Sequence, residues 1–129
     1  MSSPEAKVNE LARALKSKFG QFNVSAASKL LWLSYRCPFI ICDSRATKAL
    51  KKKFGHKHAD TSYENFVDAW RDEFTNHKEK IEGAVNALPQ GRPFMRAYKT
   101  SDEDLLKMAH EPWFLERVFD VLLWDIGRP

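Results

Sequence analysis

The chain has 129 residues, of which 43% are hydrophobic, and a formal net charge of +4. This length and apolar content suit one core, so we expect residues 1–129 to form a single domain. No run of about 18 apolar residues and no secretory leader pattern occurs, which argues against a membrane protein and predicts a cytoplasmic one. The two cysteines are too few for a disulfide framework, so we expect reduced, structural thiols.

Apolar residues recur at helical spacing along most of the chain. The predicted helices are 3–19 after a cap at Ser2, 25–35, 44–54, a long helix from 61 or 62 almost to 89, 101–108, and 112–126. Only Phe39–Cys42 has the composition of a strand, and one short run has no partner to pair with. We therefore predict an all-α bundle of about six helices. The proline-rich run 89–93 should be a surface loop, with three side chains behind it packed onto the body: Phe94, Met95 and Tyr98.

Two of the predicted helices lack a polar side. In the helix 25–35 the only charged side chain is Lys29, and the helix 112–126 is apolar on most sides. A helix that is apolar all round is usually buried. We therefore predict that these two helices form the centre of the bundle, with Leu31 and Leu122 in the core.

A local basic patch follows the helix 25–35. Its residues are predicted to bind nucleic acid, because such a patch suits a phosphate backbone: Arg45, Lys48, Lys51, Lys52, Lys53 and Lys57. A solvated helix face is the alternative. His56 and His58 lie next to lysines that would repel a cation, so we predict no metal site. We also predict no cofactor, and no glycine-rich phosphate loop occurs.

Residues 26–46 read AASKLLWLSYRCPFIICDSRA, with a Ser-Lys pair on an apolar helix, a proline, an apolar run and an Asp-Ser-Arg at the next helix start. This order resembles the helix-hairpin-helix DNA glycosylase superfamily, and most closely its 8-oxoguanine glycosylase branch. In that family a lysine opening a buried helix attacks the sugar carbon C1′ of a flipped nucleotide, and an aspartate capping the next helix assists. The resemblance implies Lys29 as the nucleophile, Asp43 as the assisting acid and DNA as the partner.

The residue types suit this chemistry. A lysine at the start of an apolar helix loses solvation, which favours the nucleophilic amine, and a nearby carboxylate stabilises positive charge on the sugar. Trp32 is the candidate for stacking on a base. The glycine hairpin that precedes the lysine in the family has no counterpart, since residues 22–27 read FNVSAA. Lys29 as a snorkelling lysine, and Asp43 as a helix cap paired with Arg45 or Arg117, therefore stay as alternatives.

Three functions remain open on the sequence alone. The first is a small DNA-associated protein related to the glycosylase core, with base-excision or AP lyase activity through a lysine. The second is a non-catalytic helical module that binds a protein or a nucleic acid, for instance in a mobile-element or phage-defence setting. The third is a subunit whose site is completed by a second chain.

Overall fold

A computed structural model describes residues 2–94 and 99–129. These ranges contain six α-helices: α1 (Pro4–Phe19), α2 (Val24–Tyr35), α3 (Ser44–Lys52), α4 (Tyr63–Val85), α5 (Asp102–Ala109) and α6 (Pro112–Ile126). A 3₁₀ helix, Leu88–Phe94, follows α4. The predicted all-helical fold is confirmed, since the described ranges contain no strand. None of the helices described is long and apolar enough to cross a membrane.

Side-chain caps fix where five of the helices begin. In each case an oxygen of the capping side chain accepts the backbone N–H three residues further on: Ser3, Asn23, Asp43, Ser62 and Ser101. The first cap is Ser3 and not the predicted Ser2. Each cap satisfies a backbone donor that the first turn of a helix leaves without a partner.

The run 89–93 is helical where a loop was predicted. Proline cannot donate the hydrogen bond required in the interior of a long α-helix, but short 3₁₀ turns require few such bonds. Leu88–Phe94 therefore continues from α4 as a 3₁₀ helix. Met95, Tyr98 and the side chain of Phe94, all predicted to pack onto the body, lie outside the described residues.

The centre of the core is α4, with α6 packed against it. Phe66 and Trp70 of α4 and Phe119 of α6 have no exposed surface. The Trp70 ring meets Phe119 edge-on, with 5.1 Å between the ring centroids. Such aromatic contacts bury large apolar areas in a defined geometry. The last helix is thus central, as predicted, whereas the second central helix is α4 and not the segment 25–35.

Helix α2 is not buried on all sides, which corrects the prediction. It packs chiefly against α1, with Ala27 and Ser28 buried, while Leu33 is 72% exposed. Leu31 is only half-buried, and Leu122 of α6 is 37% exposed. Neither leucine is therefore the core residue predicted. An apolar composition favours burial but does not determine which faces of a helix have a neighbour to pack against.

Residues 39–41 of the connector between α2 and α3 are buried, and side chains bind backbone groups in this part of the chain. The hydroxyl of Tyr63 donates to the carbonyl oxygen of Ile40 at 2.5 Å and accepts the N–H of Ile40 at 3.3 Å. The N–H of Cys42 donates to Oγ of Ser28 at 3.0 Å. Buried backbone groups require such partners. These bonds replace the strand partner that Phe39–Cys42 lacks.

The hydrogen bond between Ser28 and Cys42 also fixes the positions of their neighbours in sequence. Lys29 follows Ser28 on α2, and Asp43 follows Cys42 at the start of α3. Ser28 has no exposed surface, so the bond is shielded from water. The bond therefore ties the segment that carries Lys29 to the segment that carries Asp43.

The end of α6 approaches the start of α3 very closely. A Cβ atom at Gly127 would lie 1.9 Å from the backbone oxygen of Arg45, so glycine allows this approach. The guanidinium carbon of Arg45 then lies 4.0 Å from the ring centroid of Trp124. Because of this packing, the last turn of α6 lies beside the segment that carries Asp43.

We expect Ser28→Ala to destabilise the protein, because the N–H of Cys42 would lose its partner inside the core. A buried donor without a partner costs about 1–3 kcal/mol. Ser34→Ala is the matched control, since Ser34 lies on the same helix, is exposed, and donates to the carbonyl oxygen of Leu30. Urea unfolding should give a change within about 0.5 kcal/mol for the control. Equal losses in the two variants would contradict the role assigned to Ser28.

Candidate functional site

A cleft of about 560 Å³ lies between α2, the start of α3 and α6. Its walls are formed by nine residues: Lys29, Trp32, Leu33, Ile41, Asp43, Arg117, Asp120, Val121 and Trp124. Three residues that the sequence predicted for chemistry or stacking, Lys29, Asp43 and Trp32, thus line the same cleft. They come from two different elements, and the connector brings them together.

Lys29 lies in the second turn of α2 and is exposed. The sequence predicted a lysine that loses solvation on a buried helix, and this is wrong because the face of α2 that carries Lys29 is open. Within residues 2–94 and 99–129, its amine forms no hydrogen bond or ion pair. The amine is therefore available to a ligand in the cleft.

Asp43 is the N-cap of α3, as the sequence indicated. Its Oδ1 accepts the N–H of Ala46 at 2.8 Å. The alternative ion pair between Asp43 and Arg45 or Arg117 is absent from the described residues, because the carboxylate is turned toward the backbone of its own helix. Arg117 lies 3.8 Å from Asp120 instead. The Oδ2 atom of Asp43 has no partner in the part of the chain described, so capping leaves one oxygen for the cleft.

Two tryptophans line the cleft from opposite helices. Trp32 on α2 is half-buried, and Trp124 on α6 is 45% exposed. The guanidinium carbon of Arg117 lies 5.8 Å from the ring centroid of Trp32, and Arg45 covers Trp124. Aromatic faces attract cations and stack on planar rings. The walls of the cleft therefore suit a flat ligand.

Asp120 is the residue of the cleft that sequence reasoning missed. Its Oδ1 accepts the indole N–H of Trp70 at 2.9 Å, and the residue is only 7% exposed. Burial raises the pKa of Asp120 to about 7, against the opposing effects of the Trp70 hydrogen bond and the Arg117 guanidinium. The sequence did contain a signal for Asp120, because it is an acid between Phe119 and Val121 in a largely apolar helix. A charged residue among apolar ones is also what singled out Lys29.

A second and larger groove, of about 800 Å³, lies on the other side of the start of α3. Three of the six basic residues predicted to bind nucleic acid line it, together with Arg13 of α1: Lys48, Lys51 and Lys52. Lys51 is paired with Asp60 at 2.6 Å. Cys42 lines this groove, and its neighbours Ile41 and Asp43 line the cleft, so the two openings lie on either side of the connector.

The other three predicted basic residues lie elsewhere. Arg45 covers Trp124 beside the cleft, and Lys53 and Lys57 are exposed beyond the end of α3. The six residues therefore do not form one surface. The reason is that α3 is short. It ends at Lys52, and the chain reverses direction at Gly55, where φ is 77°.

The cleft combines an amine, two carboxyl groups and aromatic walls. A lysine amine can form a covalent bond with a carbonyl or sugar carbon, and a carboxylate can stabilise the positive charge that develops there. Tryptophan can hold a planar ring by stacking. Comparison of the chain with protein-family models, curated proteins and solved structures found no match.

We expect Asp120→Asn to change how stability depends on pH. Because the pKa of Asp120 is raised to about 7, the folded state holds this proton more tightly than the unfolded state. Ionisation of Asp120 therefore lowers the free energy of unfolding as pH rises from about 4 to about 7. The variant lacks this loss, and its amide oxygen can still accept from Trp70. Between pH 4.5 and 7.5 its stability relative to wild type should rise by roughly 2–4 kcal/mol.

Urea unfolding at the two pH values measures this effect. Asp125→Asn is the matched control, since it removes an exposed acid from the same helix. An exposed charge is screened by water, so the control should show a much smaller change with pH. A difference between Asp120→Asn and wild type that stays constant with pH would contradict the raised pKa.

Proposed function

We propose that this protein is a small DNA-associated helical protein that processes damaged or abasic nucleotides through Lys29, as a base-excision or AP lyase enzyme does. The observation that carries the proposal is that Lys29, Asp43 and Trp32 line one open cleft. These residues belong to the segment that resembles the 8-oxoguanine glycosylase branch. The unpaired amine and the unpartnered carboxylate oxygen both support the assignment.

Each residue has a defined role in the proposed reaction. At an abasic site, Nζ of Lys29 adds to the C1′ aldehyde, water leaves, and an imine joins the protein to the sugar. The carboxylate of Asp43 stabilises the positive charge on the protonated imine. Trp32 stacks on a neighbouring base held in the cleft.

The basic groove supports DNA as the partner. Lys48 and Lys52 are exposed on this groove, which lies across the connector from the cleft. A strand whose phosphates lie on these lysines would pass beside the cleft, since ammonium groups bind phosphates by charge. The free thiols of Cys37 and Cys42 suit a reducing compartment, and we propose the cytoplasm as the place of action.

A second candidate function is a non-catalytic module, or a subunit, that binds another protein. The observation that favours it is the set of large apolar side chains exposed on α2 and α6, of which Leu33 and Val121 line the cleft: Leu30, Leu33, Tyr35, Val121 and Leu122. Exposed apolar patches are often sites of protein association. In this function the cleft and its rim would receive a partner chain, and Lys29 would form no covalent bond.

Binding of DNA tests the role of the groove. We expect affinity for duplex DNA to fall steeply with added salt and Lys48→Glu/Lys52→Glu to weaken binding to all sequences alike. Lys78→Glu/Lys80→Glu is the matched control, because it changes net charge equally on an exposed part of α4 away from the groove. Fluorescence anisotropy at several salt concentrations measures both. Equal weakening in the two double variants would reject the groove as the binding surface.

Covalent trapping tests the chemistry. Borohydride delivers hydride to an imine and leaves a stable amine, so it should link the protein to an oligonucleotide with an abasic site. Lys29→Ala should abolish the link, and Asp43→Asn should slow it while asparagine still caps α3. Gel electrophoresis measures the covalent product.

Exposed amines react slowly with abasic sites, so the trapping experiment needs a control for position. Lys107→Ala removes an exposed lysine of α5 that does not line the cleft, and trapping should persist in this variant. Trapping that persists equally in Lys29→Ala would exclude Lys29 as the nucleophile. DNA binding without any trapping would favour the non-catalytic module.

A further inference from the structure

Three potential metal ligands meet on the side of α4 away from the cleft. They are His56, in the loop after α3, and the consecutive residues Asp72 and Glu73 of α4. One ligand atom from each lies within 4.8 Å of the others. The sequence paired His56 with His58 and predicted no metal site, whereas the fold brings His56 to two carboxylates that are distant in sequence.

The local backbone explains why His56 reaches α4. Gly55 has a φ of 77°, which reverses the chain after α3 and which glycine adopts without strain. The N–H of His56 then donates to the carbonyl oxygen of Leu50 at 3.0 Å. His56 is thus held at the end of α3 with its ring toward α4.

The distances place one imidazole nitrogen between the two carboxylates. Nε2 of His56 lies 2.8 Å from Oε1 of Glu73 and 3.8 Å from Oδ2 of Asp72. Bonds of about 2.0–2.2 Å to one ion put neighbouring ligand atoms about 3–3.5 Å apart. The His56–Glu73 pair forms a hydrogen bond at 2.8 Å, so the two atoms must separate by a few tenths of an ångström as the ion replaces the shared proton, which leaves to water. Asp72 is exposed, so its side chain is free to move the remaining distance.

Glu73 is fixed in place by a second histidine. Only 8% of Glu73 is exposed, and Nδ1 of His77 lies 3.7 Å from its Oε2. The same Nδ1–H donates to the backbone oxygen of Glu73 at 2.8 Å, which orients the ring. Such outer contacts orient ligands in metal sites. A carboxylate removed from water also requires a compensating positive charge.

We propose that His56, Asp72 and Glu73 bind one divalent transition-metal ion. A divalent cation balances the charge of both carboxylates. One imidazole nitrogen with two carboxylate oxygens suits Zn²⁺ or Co²⁺, while Mg²⁺ and Ca²⁺ favour ligand sets made of oxygen alone.

The surroundings of the three ligands give the ion access to solvent. His56 and Asp72 line a surface depression of about 300 Å³ that also contains His58 and Asp68. Three protein ligands leave a coordination position that water can occupy. The site is distinct from the cleft, which shares no lining residue with this depression.

Calorimetric titration of the full chain, freed of metal with a chelator, tests the site. ZnCl₂ and CoCl₂ are the probes, and we expect one equivalent to bind per chain, with no saturable binding of MgCl₂. Asp72→Asn should weaken binding by at least about tenfold, as should His56→Asn. Asp72 is exposed, so this variant should fold normally, and circular dichroism checks that it does. The visible spectrum of bound Co²⁺ should also change in Asp72→Asn.

The same depression offers matched controls. Asp68→Asn removes another exposed acid of α4, and His58→Asn removes the other histidine of the loop. Both should bind Zn²⁺ within about twofold of wild type if the three proposed residues are the ligands. Equal weakening in these controls would show unspecific surface binding and overturn the proposal. Failure of the folded wild-type chain to bind Zn²⁺ and Co²⁺ at stoichiometric amounts would overturn it as well.

Discussion

The candidate site depends on one buried hydrogen bond, from the N–H of Cys42 to Oγ of Ser28. Residues 39–41 of the connector after α2 are buried, and they have no strand beside them in the described chain. The connector's backbone groups must therefore find side-chain partners or lose the free energy of hydration without compensation. Ser28 supplies one partner and Tyr63 the other. Because Lys29 is the neighbour of Ser28, the bond that satisfies the connector also places an amine near Asp43.

The open side of α2 and the cleft have the same cause. Helix α2 packs chiefly against α1, while α6 packs against α3 and α4. Between α2 and α6 the bundle is therefore not closed, and Trp32 and Trp124 face this gap with Lys29. An apolar helix that is exposed on one side has lower stability than a buried one, since its leucines remain in water. Both functions considered for this protein use this gap, either as a reaction cleft or as a surface for a partner.

Two buried carboxyl groups lie where distant parts of the chain pack together. Asp120 of α6 is buried against Trp70 of α4, and burial raises the pKa of Asp120 to about 7. Glu73 is buried between His56 and His77 in the same way. A carboxylate in such a place needs hydrogen bonds or positive charge around it. One partner in each cluster, Trp70 for Asp120 and His56 for Glu73, comes from a distant part of the chain, so each cluster is a product of packing.

The sequence by itself determined the helices and most of their ends, and it singled out Lys29 and Asp43. Helical periodicity, a capping aspartate and a single lysine among apolar residues are local signals, and they predicted α3, its cap and Lys29. Only the tertiary structure decided that α4 and not α2 is central, that Leu122 is exposed, and that Asp120 joins the cleft. Local signals are carried by neighbours within a few residues, whereas burial depends on which helix covers which face. That choice is made by the packing of the whole chain, which composition and periodicity do not specify.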